Sequence, residues 1–218
     1  MELEYILLKY DDVKMDRRDT PKLRGYFANK YNEYIELHNH KDDKFVYKYP
    51  IVQYKVIDNI PILLGLKKEG IDIVKEVFFT NNQLRISTKE YDIYEKNINM
   101  YKREYGSTKD VYKYEFLTPW IGLNQKNNKE YRQANIIDKE LILNRVLVGN
   151  ILSCSKYLGY TVEEEIKVKS SLKKMIVQFK GVKMIGFTGS FYTNFMIPDY
   201  LGLGKSVARG FGTIKRIS

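Results

Sequence analysis

Asp58-Asn59 separates two β-rich runs, Val46–Ile57 and Ile60–Leu66. Two residues of a kind that tolerate left-handed backbone, set between strand-like runs, predict a tight antiparallel hairpin. What flanks the hairpin constrains the chain further. Upstream, Glu2–Tyr10 reads as a strand around Tyr5, Ile6, Leu7 and Leu8, and after a charged loop Thr20-Pro21 supplies an N-cap and first-turn signal. The helix it opens carries Leu23, Phe27 and Tyr31 on one face. Downstream, Ile71, Val74 and Phe78 stand at helical spacing and predict a helix over Gly70–Phe79, followed by a strand over Gln83–Thr88.

This order, β-α-β-β-α-β, is the ferredoxin-like (RRM-like) unit. Lys89–Asp110 reads as a connector or an elaborated edge. The second half repeats the pattern: a strand over Val111–Leu117, the longest amphipathic helix signal over Asp138–Tyr157, strands at Ile166–Val168, Met175–Phe179 and Val182–Phe187, a helix or turn around Phe191–Tyr200, and a last strand over Gly212–Ile217. With 218 residues, 44% of them hydrophobic, two small cores are affordable. The expected fold is therefore α+β: two tandem ferredoxin-like domains, residues 1–110 and 111–218.

Lys and Arg number 37 against 27 Asp and Glu, a net charge of +10 that attracts polyanions. Nineteen tyrosines accompany them, and rings interleaved with cations suit stacking on unpaired bases as well as packing in strands. Met1-Glu2-Leu3-Glu4 is acidic where a secretion signal would be basic, and no apolar run approaches a membrane span, so a cytoplasmic location and no membrane partner are expected. The one cysteine, Cys154, excludes an internal disulfide framework and a cysteine-based zinc cluster and reads as a core residue.

Two constellations carry chemistry. The only histidines are His38 and His40, two residues apart in a polar segment just before Tyr47, Lys48 and Tyr49. Imidazoles exchange protons near neutral pH. RNA brings its own nucleophile, the 2′-hydroxyl, so a base, an acid and a charge stabiliser suffice to cut it. The same pair could instead join Asp42 and Asp43 on a metal, although no third histidine or nearby cysteine supports that, or be ordinary loop residues.

The second constellation is Gly202–Arg216, with glycines at 202, 204, 210 and 212 and cations at Lys205, Arg209, Lys215 and Arg216. Glycines let backbone amides approach phosphates while Lys and Arg neutralise them; a flexible hairpin is the bland alternative. It is no Walker loop, since Asp199 stands where the first glycine belongs, and Val207 breaks the dinucleotide fingerprint.

Together, Gly202–Ile217 with its G-x-G and G-F-G segments, Leu23–Phe27, Leu37–His40 and Phe45–Val56 resemble the sixth CRISPR-associated protein family, the repeat-cleaving endoribonucleases of the glycine-rich-loop superfamily, in its paired-histidine branch. The resemblance implies an RNA-binding cleft between the two ferredoxin-like domains, and a metal-independent endoribonuclease, without cofactor, that cuts precursor CRISPR RNA within its repeats and leaves 2′,3′-cyclic phosphate and 5′-hydroxyl ends. It implies His38 and His40 as the acid–base pair and Tyr47 as a positioning or proton-donating group. RNA-binding residues would be Arg24, Lys48, Gly202, Gly204, Lys205, Ser206, Arg209, Gly210, Gly212, Lys215 and Arg216. Ala208 departs from the pattern, standing where a serine often contributes a hydroxyl. The implied partner is CRISPR repeat RNA, with room for other CRISPR-associated proteins of an interference complex and for a homodimer through exposed strand edges. The alternative is a repeat-binding subunit that does not cut, or a plain interaction module whose charge reflects codon bias.

Overall fold

The computed structural model describes residues 1–38, 40–41, 44–45 and 49–217, with the backbone alone at Ile35, His38, His40, Lys41, Lys44 and Phe45. It divides into two compact units. One comprises Glu2–Arg103 with Val207–Gly210; the other comprises Met1, Glu104–Ser206 and Phe211–Ser218. No helix among the described residues is long and apolar enough to cross a membrane.

The N-terminal unit runs β1 (Glu2–Lys9), α1 (Thr20–Lys30), α2 (Ile35–His38), β2 (His40–Lys41), β3 (Lys44–Phe45), β4 (Val52–Ile57), β5 (Ile60–Leu66), α3 (Lys67–Thr80), β6 (Gln83–Ile86), β7 (Lys89–Asp92) and β8 (Asn97–Glu104). Its main sheet has the order β4-β5-β1-β8, the ferredoxin-like arrangement. Asp58 and Asn59 both have positive φ, 52° and 64°, as a two-residue type I′ turn requires. Helix α1 begins at Thr20 itself, with Asp19 at the N-cap and Pro21 in the first turn. Its Leu23 and Phe27 are wholly buried, and the Phe27 ring stacks on Tyr54 of β4 at 5.7 Å between centroids. Full burial of one such side chain contributes roughly 2–3 kcal/mol, so this face fixes α1 on the sheet.

The fourth strand is not the one expected. Gln83–Ile86 pairs with Lys89–Asp92 as a separate hairpin, and β8, within the stretch read as a connector, completes the sheet beside β1. Leu84 and Ile86 are buried, which produced the alternation in the sequence; β8, NINMYKRE, is an edge strand with mostly exposed side chains and shows no such pattern.

The C-terminal unit runs β9 (Gly106–Phe116), α4 (Gln125–Gln133), α5 (Ile136–Leu158), β10 (Val168–Phe179), β11 (Val182–Met196) and β12 (Ile214–Ile217), with sheet order β10-β11-β9-β12. Helix α5 is capped at both ends. The Asn135 side chain accepts from the Asp138 amide at 2.9 Å, and Gly159 closes the helix at φ +83°. Its buried face, Leu143, Val146, Leu147, Ile151 and Cys154, belongs to a core that also holds Trp120, Phe187 and Phe191. The runs Ile166–Val168 and Met175–Phe179 are largely one strand, β10. Phe191–Met196 continues β11 rather than forming a helix or turn, because Phe191, Thr193 and Phe195 are buried at strand spacing. Where the second helix of this unit belongs, the described residues between β11 and β12 contain just a 3-10 turn, Val207–Arg209.

Candidate nucleic-acid interface

The glycine-rich segment is ordered by its own ladder. Tyr200 N–H donates to the Ile214 carbonyl at 2.8 Å, Ile214 N–H to Leu201 at 3.0 Å, and Leu203 N–H to Gly212 at 2.8 Å, while Gly202 bridges Thr213. These rungs extend β12 into a hairpin rather than a flexible loop. Gly204 has φ +88°, and a Cβ there would lie 2.5 Å from the Trp120 indole nitrogen, so this glycine is required by the buried tryptophan beside it. Gly212 likewise packs against Leu203.

Lys205 is held at both ends. Its N–H donates to Ile121 at 2.9 Å and its Nζ to the Leu123 carbonyl at 3.1 Å, and partial burial pulls its pKa down. An ammonium has three donors, so two remain for a phosphate. Ser206, at φ +60°, ends this portion. On β12, Lys215 and Arg216 are both exposed and, as neighbours in a strand, point to opposite faces of the sheet. The Arg216 guanidinium lies 3.9 Å over the Tyr112 ring, and its backbone amide donates to Asp199 at 2.8 Å.

The next residues, Val207–Gly210, belong to the N-terminal unit. The 3-10 turn packs on α1 and β4. Val207 is buried, and so is Ala208 at 8% exposure, so a side chain at that position faces protein more than solvent. Gly210 makes the packing close: at φ +82°, a Cβ would come within 2.8 Å of Thr20 Cγ2 and 3.1 Å of the Tyr54 carbonyl. This seating brings Arg209 toward Arg24 of α1. Burial lowers the pKa of both guanidiniums, and Arg24 is lowered further by the charge of Arg209. Two half-buried like charges that disfavour one another are stabilised by an anion, and phosphate suits a paired guanidinium.

His38 ends α2 and His40 opens β2, paired in register with Phe45. The side chains of both lie outside the described residues, as do Tyr47 and Lys48.

Two features escaped the sequence. Gln53 and Lys55 alternate with the core residues Val52, Tyr54 and Val56 along β4, and that pattern places them on a solvent face; both are fully buried. Lys55 Nζ donates to Gln53 Oε1 at 2.8 Å, and desolvation pulls its pKa down to about 7. At the C-terminal end of α3, Lys96 Nζ donates to the carbonyls of Phe78 (2.5 Å) and Asn81 (2.9 Å), and Lys30 Nζ and the Tyr26 hydroxyl both donate to Asn81 Oδ1. Cations there satisfy open carbonyls of the helix end. No short-range signal reveals a cap drawn from two distant segments.

Comparison with known proteins covers nearly the whole chain. The Cas6b N-terminal domain family matches residues 1–104 and the Cas6b C-terminal domain family residues 106–217. A crystal structure of Cas6b is 47% identical with TM-score 0.97, and that of a CRISPR RNA processing endoribonuclease Cas6b is 42% identical with TM-score 0.83; both alignments span 100% of each chain. An uncharacterized protein of Methanocaldococcus jannaschii is 41% identical over 143 residues, 65% of this chain and 97% of the relative. A type IV Cas6 crRNA endonuclease, at 11% identity and TM-score 0.53 over 99% of this chain and 100% of that one, shares the fold alone. With both domain families matched in order across residues 1–217, and an α+β fold of two sheet-bearing units to hold them, this chain belongs to the Cas6b family.

Proposed function

We propose that the protein is a metal-independent endoribonuclease that cuts precursor CRISPR RNA within its repeats. The observation that carries this is the full-length likeness, at 42% identity, to a CRISPR RNA processing endoribonuclease, and the paired Arg24 and Arg209 support it as an anion-holding element. One of His38 and His40 takes the proton of the 2′-hydroxyl as its oxygen attacks the adjacent phosphorus. The other protonates the departing 5′-oxygen, leaving a 2′,3′-cyclic phosphate and a 5′-hydroxyl. Tyr47 orients the phosphate. Arg24, Lys48, Lys205, Arg209, Lys215 and Arg216 hold phosphates, and Gly202, Gly204, Ser206, Gly210 and Gly212 shape the segment that carries them. The proposed division of labour assigns the acid–base residues to the domain of residues 1–110 and the glycine-rich segment to residues 111–218.

The test is incubation with labelled repeat RNA from the host's own CRISPR arrays in excess EDTA, beside the same RNA with a 2′-deoxy nucleotide at the cut site. One cut that ignores EDTA and vanishes with the 2′-deoxy substitution is expected. Replacing either histidine by alanine should slow cleavage by about 10²–10⁴-fold with little change in affinity. Undiminished cutting by the double variant would remove the histidine assignment, and binding without cutting would favour a non-catalytic subunit.

A further inference from the structure

The C-terminal sheet has two unlike faces. One is core: Tyr114 and Phe116 of β9, Phe187 and Phe191 of β11, and Ser170 of β10 are all buried. The residues between them face the other way, and the strand register aligns them in rows. Lys169, Tyr192, Lys113 and Ile217 form one row; Ser171, Ser190, Glu115 and Lys215 form the next; Lys173 and Thr188 begin a third. Of these ten, Ile217 on the edge strand is the one apolar residue. Lys169, Ser171, Lys173, Tyr192 and Lys215 are exposed and the others half-buried.

Four lysines and one glutamate give this face a charge of +3. Among the described residues, none of the four lysines takes part in a salt bridge. At its centre Tyr192 is 45% exposed, with Lys113 Nζ 5.5 Å from its ring centroid. A sheet face built only for solvation has no need of a large ring at its middle, whereas a ring flanked by cations offers a stacking surface with phosphate contacts on either side. Four strands at about 4.8 Å spacing span roughly 14 Å, and sheets of this kind seat two or three unpaired bases.

We infer that this open face is a second RNA contact, in which Tyr192 stacks on an unpaired base and Lys113, Lys169 and Lys173 hold the phosphates beside it. Its ligand is single-stranded RNA, and the inference rests on the reading of the chain as an RNA-binding endoribonuclease. The contact is sequence-tolerant, because any base offers a ring face, and it adds affinity without taking part in bond breaking.

The experiment is titration of the full chain with an unstructured oligoribonucleotide carrying 2-aminopurine, over a salt series, beside the repeat-cleavage assay. Stacking quenches the probe. Tyr192→Ala is expected to weaken binding by roughly five- to a hundredfold and abolish the quench, while Tyr192→Phe keeps both. Lys113→Ala combined with Lys169→Ala, which leaves the ring in place, should reduce the slope of log affinity against log salt by about 0.7 per lysine. The cleavage rate at saturating repeat RNA should not change in any of these variants. Unaltered affinity and quench in Tyr192→Ala, with repeat cleavage intact, would overturn the platform and leave the endoribonuclease standing. Failure of the unmodified chain to bind or cut RNA would overturn both.

Discussion

Lys55 sets a test of the electrostatic argument. Its ammonium is fully buried with Gln53 as its hydrogen-bond acceptor, and its pKa falls from 10.5 to about 7. A shift of that size corresponds to about 5 kcal/mol of charge penalty, at roughly 1.4 kcal/mol per pH unit. Below pH 7 the lysine is protonated both folded and unfolded, and the penalty is present in full. Between pH 7 and 10.5 the unfolded chain binds a proton that the folded chain does not, so stability rises with pH. Lys55→Met keeps the volume and removes the charge, but Gln53 loses that donor, at a cost of about 1–3 kcal/mol. The variant should therefore be more stable than the natural chain at pH 6, by about 2–4 kcal/mol, and its advantage should shrink by roughly 1.4 kcal/mol per unit from pH 7 to pH 9. Hydrogen exchange of the Val52–Ile57 amides reads this locally, and comparing the two proteins at each pH cancels the intrinsic exchange rate. The window stops short of pH 10 because buried tyrosines such as Tyr54, whose pKa burial raises, lose stability above it. A difference between the two proteins that stays constant from pH 6 to pH 9 would refute the reasoning.

Gly210→Ala forces a side chain into left-handed backbone and against Thr20; denaturant melts should show a loss of about 1–3 kcal/mol, with weaker RNA binding. Arg24→Ala and Arg209→Ala should each weaken binding and reduce the salt slope by about 0.7 on single-stranded RNA, as read by filter binding at several salt concentrations. Asn135→Ala removes the cap of α5, and thermal melts should register a loss of about 1 kcal/mol.

The elements legible in the sequence are those whose signal is local. The Asp58-Asn59 turn and the spacing of Leu23 and Phe27 predict β4-β5 and α1 from neighbouring residues alone. The strand β8 is illegible because an edge strand with exposed side chains on both faces has no apolar period, whereas Gln83–Thr88 reads as the fourth strand through an alternation that serves a side hairpin, Gln83–Ile86 with Lys89–Asp92. In the C-terminal half, Phe191 and Phe195 carried the period of β11 past the expected end of that strand. The basic, glycine-rich segment stood out by composition, but the reasons for its glycines did not: Gly204 answers to Trp120 and Gly210 to Thr20, partners 84 and 190 positions away. The burial of Lys55 was illegible for the same reason, since β4 alternates as if one of its faces met water.

The seating of Val207–Gly210 also orders events during synthesis. Residues 2–103 reach the end of β8 long before the turn that fills the surface of α1 and β4 has been made. Until position 210 emerges, Thr20, Arg24 and Tyr54 lack Val207, Ala208 and Arg209 as neighbours. The guanidinium pair is therefore the last part of the N-terminal unit to exist, and a nascent or 3′-truncated product would carry the histidines without it. On the proposed assignment of roles, such a chain would hold RNA poorly although its candidate proton-transfer residues, His38 and His40, have already been synthesised.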